Sequence, residues 1–173
     1  MKPFLTFAII LGALITIMTD KQASANPATL ILETTKGQVE IELKPDLAPK
    51  HVARITELAE EGYYDGIIFH RVIAGFMAQT GDPTGTGMGG SGQKLEAEFT
   101  DYEYREGTVG MARTMDPNSA DSQFFICFDG CGHLTGQYTV WGQVTAGMDA
   151  VYALNEGQPP AEPDSIKTAR LAK

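Results

Sequence analysis

Positive charge is in short supply. Lys and Arg number 13 against 22 Asp and Glu, a formal net charge of −9. Nucleic acids and anionic lipids both require clustered cations, so neither is expected as a partner. Cysteine is also sparse, with two residues, which excludes a disulfide-dense miniprotein. No G-K-[ST] occurs, so there is no P-loop, and the three His show no H-E-x-x-H spacing. Ser91 lacks the second Gly of a G-x-S-x-G elbow, and hydrolase and metalloenzyme readings therefore start weak. Glycine is plentiful instead, 19 of 173 residues. A 43% hydrophobic, 20% charged composition is that of a folded chain of one domain, or at most two small ones.

No apolar run is long enough to span a bilayer as a helix. The longest, residues 4–18, falls short of the ~20 residues that requires. It follows Lys2 and precedes Ala23-Ser24-Ala25, the n-region, h-region and A-x-A order of a secretory signal. Residues 1–25 are therefore expected to be a signal peptide cleaved after Ala25, with a periplasmic mature chain of residues 26–173. No Cys follows the apolar run, which argues against a lipoprotein anchor, and no membrane association is expected after cleavage. Loss of Lys2, Asp20 and Lys21 leaves 11 cations and 21 anions. A single core can be sustained at this size.

In the mature part, 29–34 and 39–43 are β-like runs around Thr35-Lys36-Gly37, a hairpin turn. Pro49 suits a first helical turn. Val52, Ile55, Leu58 and Ala59 recur at helical spacing until Gly62, predicting a helix over 49–61. Short strands are expected at 67–73, 76–79, 96–99, 108–112, 122–128, 139–144 and 166–171, with a second helix at 147–154. Many short strands with Gly-rich turns indicate a sandwich or barrel. No internal repeat or interdomain linker is present. Cys127 and Cys131 read equally well as two free thiols or as a local disulfide, with a metal site ranking below both.

Gly85-Thr86-Gly87-Met88-Gly89-Gly90 matches G-x-G-x-x-G formally, but Gly at 89, 90 and 92 discourages the helix that a dinucleotide site needs. A structural loop is expected. The informative blocks are 69–82 (FHRVIAGFMAQTGD) and 122–126 (SQFFI). Strand parity sets Arg71 with Phe69 and Ile73, in apolar company, and His70 on the opposite face as a hydrogen-bonded core histidine. An Arg whose stem covers apolar surface is the bland alternative. Parity also sets Gln123 with Phe125, an amide beside an aromatic ring, and groups Gly110 with Ala112. Small residues beside Arg, Phe, Met and Gln suggest a shallow pocket.

These blocks, with GTGMGG at 85–90, GMAR at 110–113 and LTGQYTVWGQV at 134–144, resemble the cyclophilin family of peptidyl-prolyl cis–trans isomerases over about 28–172. The wording is most similar to bacterial, signal-bearing members. The resemblance implies a mainly-β fold, a closed eight-stranded antiparallel barrel capped by two helices, with a proline site on its outer surface. It implies Arg71 as the catalytic group, and Phe76, Met77, Phe125 and Leu134 as the proline pocket. Gln79, Gly87, Ala112 and Gln123 would contact the substrate backbone or its flanking side chain. Arg113 stands where many members have Asn and would act through main chain. Tyr138 stands where many have His. Only the resemblance brings Phe76 into the pocket, by a bend at Ala74-Gly75.

The resemblance further implies proline-containing polypeptides as partners, no cofactor and no metal. His133 replaces the Trp of cyclosporin-sensitive members, so weak cyclosporin binding is expected. A monomer is the default expectation. The competing reading is a non-catalytic proline-peptide binding module or holdase chaperone using the same groove. A structural barrel without a site stands behind both.

Overall fold

The computed structural model describes residues 28–173. The expected signal segment and its cleavage site lie outside these residues. Among the described residues, no helix is long and apolar enough to cross a membrane.

The chain opens with a hairpin of β1 (Thr29–Thr34) and β2 (Gly37–Leu43). Leu30, Leu32, Val39 and Ile41 alternate inward and are fully buried, as period-two patterning requires. The turn closes on Thr34, whose hydroxyl oxygen accepts the amides of Lys36 and Gly37 at 3.1 Å each. Helix α1 (Pro49–Glu60) begins on proline, with no side-chain cap from Ala48. Its orphan amides are instead met from outside. The Glu98 carboxylate accepts Lys50 N at 3.1 Å and His51 N at 3.0 Å, and lies 2.6 Å from His51 Nδ1. Residues 96–99, expected as a strand, are instead an irregular segment laid across the helix start; among the described residues the segment's one bridge is that of the preceding Leu95, to Ala120.

The remaining elements are β3 (Arg71–Ile73), β4 (Met77–Thr80), β5 (Thr108–Met111), β6 (Phe124–Cys127), β7 (Val140–Ala146), the short helix α2 (Met148–Tyr152) and β8 (Ile166–Leu171). All eight strands form one antiparallel sheet in the order β3-β4-β6-β5-β7-β2-β1-β8. One face wraps around a core in which Phe124 meets Tyr64 and Trp141 edge-on, with ring centroids 5.5 and 5.3 Å apart. Helix α1 packs against β7 and β8, and α2 against β2.

The sheet is open, which corrects the expected closed barrel. Among the described residues no strand ladder joins β3 to β8. Residues 67–70 are irregular where a longer strand was expected, and the segment before β8 is a proline-rich loop. Isolated bridges, Ile68 to Ser165 and Val72 to Gly157, span the gap, so the sheet curls until its edge strands are neighbours without sharing a ladder.

Candidate active site

The site grows from the β3–β4 hairpin. Ala74, Gly75 and Phe76 make the turn, with Gly75 at φ +68°, a left-handed conformation that suits glycine. The register sets Arg71 opposite Gln79 and Ile73 opposite Met77. In β6, Gln79 faces Phe125 and Met77 faces Cys127, and Phe125 in turn faces Gly110 of β5. Arg71, Gln79, Phe125 and Gly110 thus form one cross-strand row on the outer face, while Phe124 and Ile126 point into the core. A side chain at position 110 would strike Phe125 Cζ, with its Cβ only 2.7 Å away. The Tyr104 hydroxyl would be struck as well, so glycine at 110 lets both rings close over β5, while the shallow pocket expected beside the small residues lies over Ala112.

Phe125 stacks on Tyr104 at 5.8 Å and meets Tyr138 edge-on at 5.8 Å. Together with Met77, Cys127, Cys131, Leu134 and Val140 it makes a second apolar cluster on the outer face. Cys127 and Cys131 are joined by a disulfide, so of the two alternatives open from sequence, the bridge is the one present. It ties the end of β6 to the 3₁₀ turn Gly132–Leu134, which carries Leu134 to the rim.

Over this cluster lies a pocket of about 120 Å³. It is walled by Phe76, Met77, Phe125, Leu134 and Tyr138, with Arg71, Gln79, Ala112 and Arg113 along its edges. A wider groove of about 340 Å³ continues past the shared residues Gln79, Ala112 and Arg113 to Gly87 and Gln123. All eleven expected site residues are therefore gathered at two adjoining depressions. The bend at Gly75 does carry Phe76 inward. Phe69 is not beside Arg71, because it precedes β3 and is buried in the inner core. His70 is buried behind Gly87, but among the described residues neither ring nitrogen finds a hydrogen-bond partner, which corrects the expected hydrogen-bonded state; burial lowers its pKa.

Arg71 is held on several sides. Its Nε donates to Gln158 Oε1 at 3.0 Å, its Nη1 reaches Gln79 Oε1 at 3.4 Å, and its guanidinium carbon lies 6.0 Å from the Phe76 ring centroid. Gln79 Nε2 donates to Gln123 Oε1 at 3.0 Å, and Gln123 Nε2 donates to the carbonyls of Gly87 and Gly89 at 3.1 and 2.8 Å. A directional amide chain thus runs from the guanidinium to the glycine loop. Arg113 lies along the rim, where it lines both depressions. Its guanidinium donates to Gln137 O at 2.8 Å and lies 4.5 Å from the Tyr138 ring centroid.

Two residues of this scaffold carry no expectation from sequence. Asp82 follows β4 and gathers the loop. Oδ1 accepts Thr84 N at 2.7 Å; Oδ2 accepts Thr86 N at 3.1 Å, Gly87 N at 2.6 Å and Gly89 N at 3.1 Å. Burial alone would raise its pKa, but these bonds bring it down to about 2. An Asp directly before Pro-Thr-Gly-Thr-Gly is a turn signal that could have been used. Gln158 is separated from Arg71 by 87 positions and leaves no local mark in the sequence.

Fold and site together describe a mainly-β protein that offers an apolar, ring-sized notch beside one oriented guanidinium and a groove for an extended chain. The family model for "Cyclophilin type peptidyl-prolyl cis-trans isomerase/CLD" matches residues 29–171. A probable peptidyl-prolyl cis–trans isomerase of Brucella suis is 51% identical over 158 residues, covering 84% of this chain and 80% of that protein. A peptidyl-prolyl cis–trans isomerase of Synechococcus elongatus is 46% identical over 113 residues, covering 65% and 77%. Among solved structures, a cyclophilin from Hirschia baltica aligns with a TM-score of 0.76 at 33% identity, covering 84% of this chain and 74% of that one. A Cryptosporidium parvum cyclophilin-type isomerase, crystallised in the presence of the dipeptide Ala-Pro, aligns with a TM-score of 0.78 at 31% identity, covering 84% and 99%. This chain belongs to the cyclophilin-type peptidyl-prolyl cis–trans isomerase family, and it is an enzyme of that activity.

Proposed function

We propose that Arg71 is the catalytic group of this isomerase, and that the Phe76, Met77, Phe125, Leu134 and Tyr138 pocket holds the proline ring. Gln79, Gly87, Ala112, Arg113 and Gln123 would border the rest of the substrate chain. The observation that carries this reading is the guanidinium fixed at the pocket's edge by Gln79, Gln158 and Phe76.

The barrier to X–Pro rotation, ~18–20 kcal/mol, is amide resonance. A catalyst has to favour the twisted amide over the planar one, with no nucleophile required. The planar form is the more charge-separated, so an apolar pocket already favours twisting. In the twisted form the nitrogen is pyramidal and can accept a hydrogen bond from Arg71. A bond to a charged donor is worth ~1.5–3 kcal/mol net, whereas a 10⁵-fold acceleration would need about 7 kcal/mol. The remainder falls to desolvation and to the grip on the ring and flanking chain. Arg suits the role better than Lys because its fork is rigid and always charged.

In this reading the substrates are proline-containing polypeptides; the Cryptosporidium parvum relative crystallised with Ala-Pro supports that class. The n-region, h-region and A-x-A pattern, with bacterial relatives such as that of Brucella suis, supports a signal-bearing periplasmic member. The test is NMR exchange of a proline peptide with the mature protein. Arg71→Ala should cut the catalysed exchange at least tenfold, the weight of one charge-assisted bond (~1.5–3 kcal/mol), while leaving the melting temperature near wild type. Unchanged exchange would refute the role of Arg71.

A further inference from the structure

We infer that Gln158 is a positioning residue for the isomerisation: a neutral side-chain acceptor, delivered from the seam loop, that sets the plane of the Arg71 guanidinium. The inference rests on the catalytic reading of Arg71.

A guanidinium on a long stem keeps several rotatable bonds, and one contact leaves it free to swing. Two contacts on different edges fix a plane. Here one edge is Nη1 on Gln79, at a long 3.4 Å, and the other is Nε on Gln158 at 3.0 Å. The shorter of the two anchors is thus the one outside the sheet. Among the described residues Nη2 makes no hydrogen bond, so both anchors leave one donor edge for the substrate.

The loop that carries Gln158 is built independently of its side chain. Gly157 and Val72 exchange a reciprocal pair of backbone bonds, each 2.9 Å, which sets the next residue of the loop beside the neighbour of Val72. Asn155 N reaches Asp164 Oδ2 at 2.8 Å, and Asn155 Nδ2 reaches Glu162 O at 2.9 Å, closing the loop on itself. Gly157 sits at φ +149°, where a Cβ would come within 2.5 Å of Pro160 Cα. The Gln158 side chain is exposed, so its replacement removes an anchor without removing the core.

Misplacement of a catalytic group by about 1 Å can cost ~10²-fold. Nη1 also reaches Met77 Sδ at 3.9 Å, so among the described residues Gln158 is the one hydrogen-bond partner of Nε; its loss is expected to lower kcat about tenfold with little change in KM, since the orientation matters most once the imide twists. The experiment compares wild type, Gln158→Met, which keeps length but has no comparable acceptor, and Gln158→Glu, which keeps an acceptor. Proline-peptide exchange is measured by NMR with the Arg71 Nε–H resonance followed alongside. Gln158→Met should lose the rate and move that resonance to the position of a solvated arginine. Gln158→Glu should recover at least half of the loss and keep the resonance shifted. In an Arg71→Ala background, Gln158→Met should have no further effect. A Gln158→Met rate within twofold of wild type, a Glu variant no better than Met, or a further slowing in the Arg71→Ala background would each overturn the role of Gln158. Wild-type turnover in Arg71→Ala itself would instead overturn the reading of Arg71.

Discussion

Asp82 gives the sharpest test of how the groove is held. The residue is 1% exposed, and its carboxylate accepts four backbone amides along the glycine loop, together with the Thr84 hydroxyl at 2.8 Å. The loop in turn supplies the carbonyls of Gly87 and Gly89 to Gln123, and through it to Gln79 and Arg71. The depressed pKa, about 2 against an ordinary 3.8, means that folding favours the ionised form. This stability is fully present above about pH 4 and is lost as the pH falls through about 2. A drop of nearly two pH units is worth about 2 kcal/mol. Asp82→Asn removes that charge and turns an amino group toward amides that need an acceptor, for a total cost of about 2–4 kcal/mol. At ~3–4 °C per kcal/mol for a domain of this size, Tm should fall by roughly 6–15 °C at neutral pH. Thermal melts across a pH series check both halves. Wild type should lose its advantage over the variant between about pH 4 and pH 2. A variant melting within about 2 °C of wild type, with a parallel pH curve, would show that the loop keeps its form without the carboxylate.

Phe125→Ala removes the floor of the pocket and the partner of Tyr104 and Tyr138, so peptide affinity and catalysed rate should fall together, each by tenfold or more for a lost core-sized aromatic (~3–5 kcal/mol); a change in Tm alone would make Phe125 structural. Cyclosporin should inhibit only weakly, because His133, stacked on Phe76 at 5.4 Å, lacks an indole's area; a titration with nanomolar-class inhibition contradicts this. Reduction of Cys127–Cys131, or Cys131→Ser, frees the turn bearing Leu134 and should lower Tm by several degrees and weaken peptide binding. For so short a loop the entropic share is about 2 kcal/mol, and an unchanged Tm on reduction would show that packing alone holds the turn.

Local pattern revealed a good deal of this molecule. The alternation of Leu30, Leu32, Val39 and Ile41, and the spacing of Val52, Ile55 and Leu58, mark their strands and helix because burial on one face imposes a period. Parity within 122–126 correctly separated Phe125 from Phe124. What it could not show depends on pairing across long distances. Residues 96–99 have strand-like alternation, yet Glu98 is drawn to the amides of α1, and no ladder partner is available. The Arg71 site was legible mostly through family resemblance, since parity grouped Arg71 with Phe69, which the irregular 67–70 segment turns into the core. Gln158 was invisible because its whole significance lies in a register set by Gly157 and Val72. The sheet's failure to close follows from the same place, where a proline-rich stretch cannot supply a ladder of donors.

That unzipped margin carries an evolutionary corollary. Arg71 stands on the border strand whose outer neighbour is a loop, so on the proposed reading whatever trims or lengthens residues 155–165 would change the aim of that guanidinium as well as the hem of the fold. A relative whose stretch differed in length would have to aim the matching cation by some other handhold.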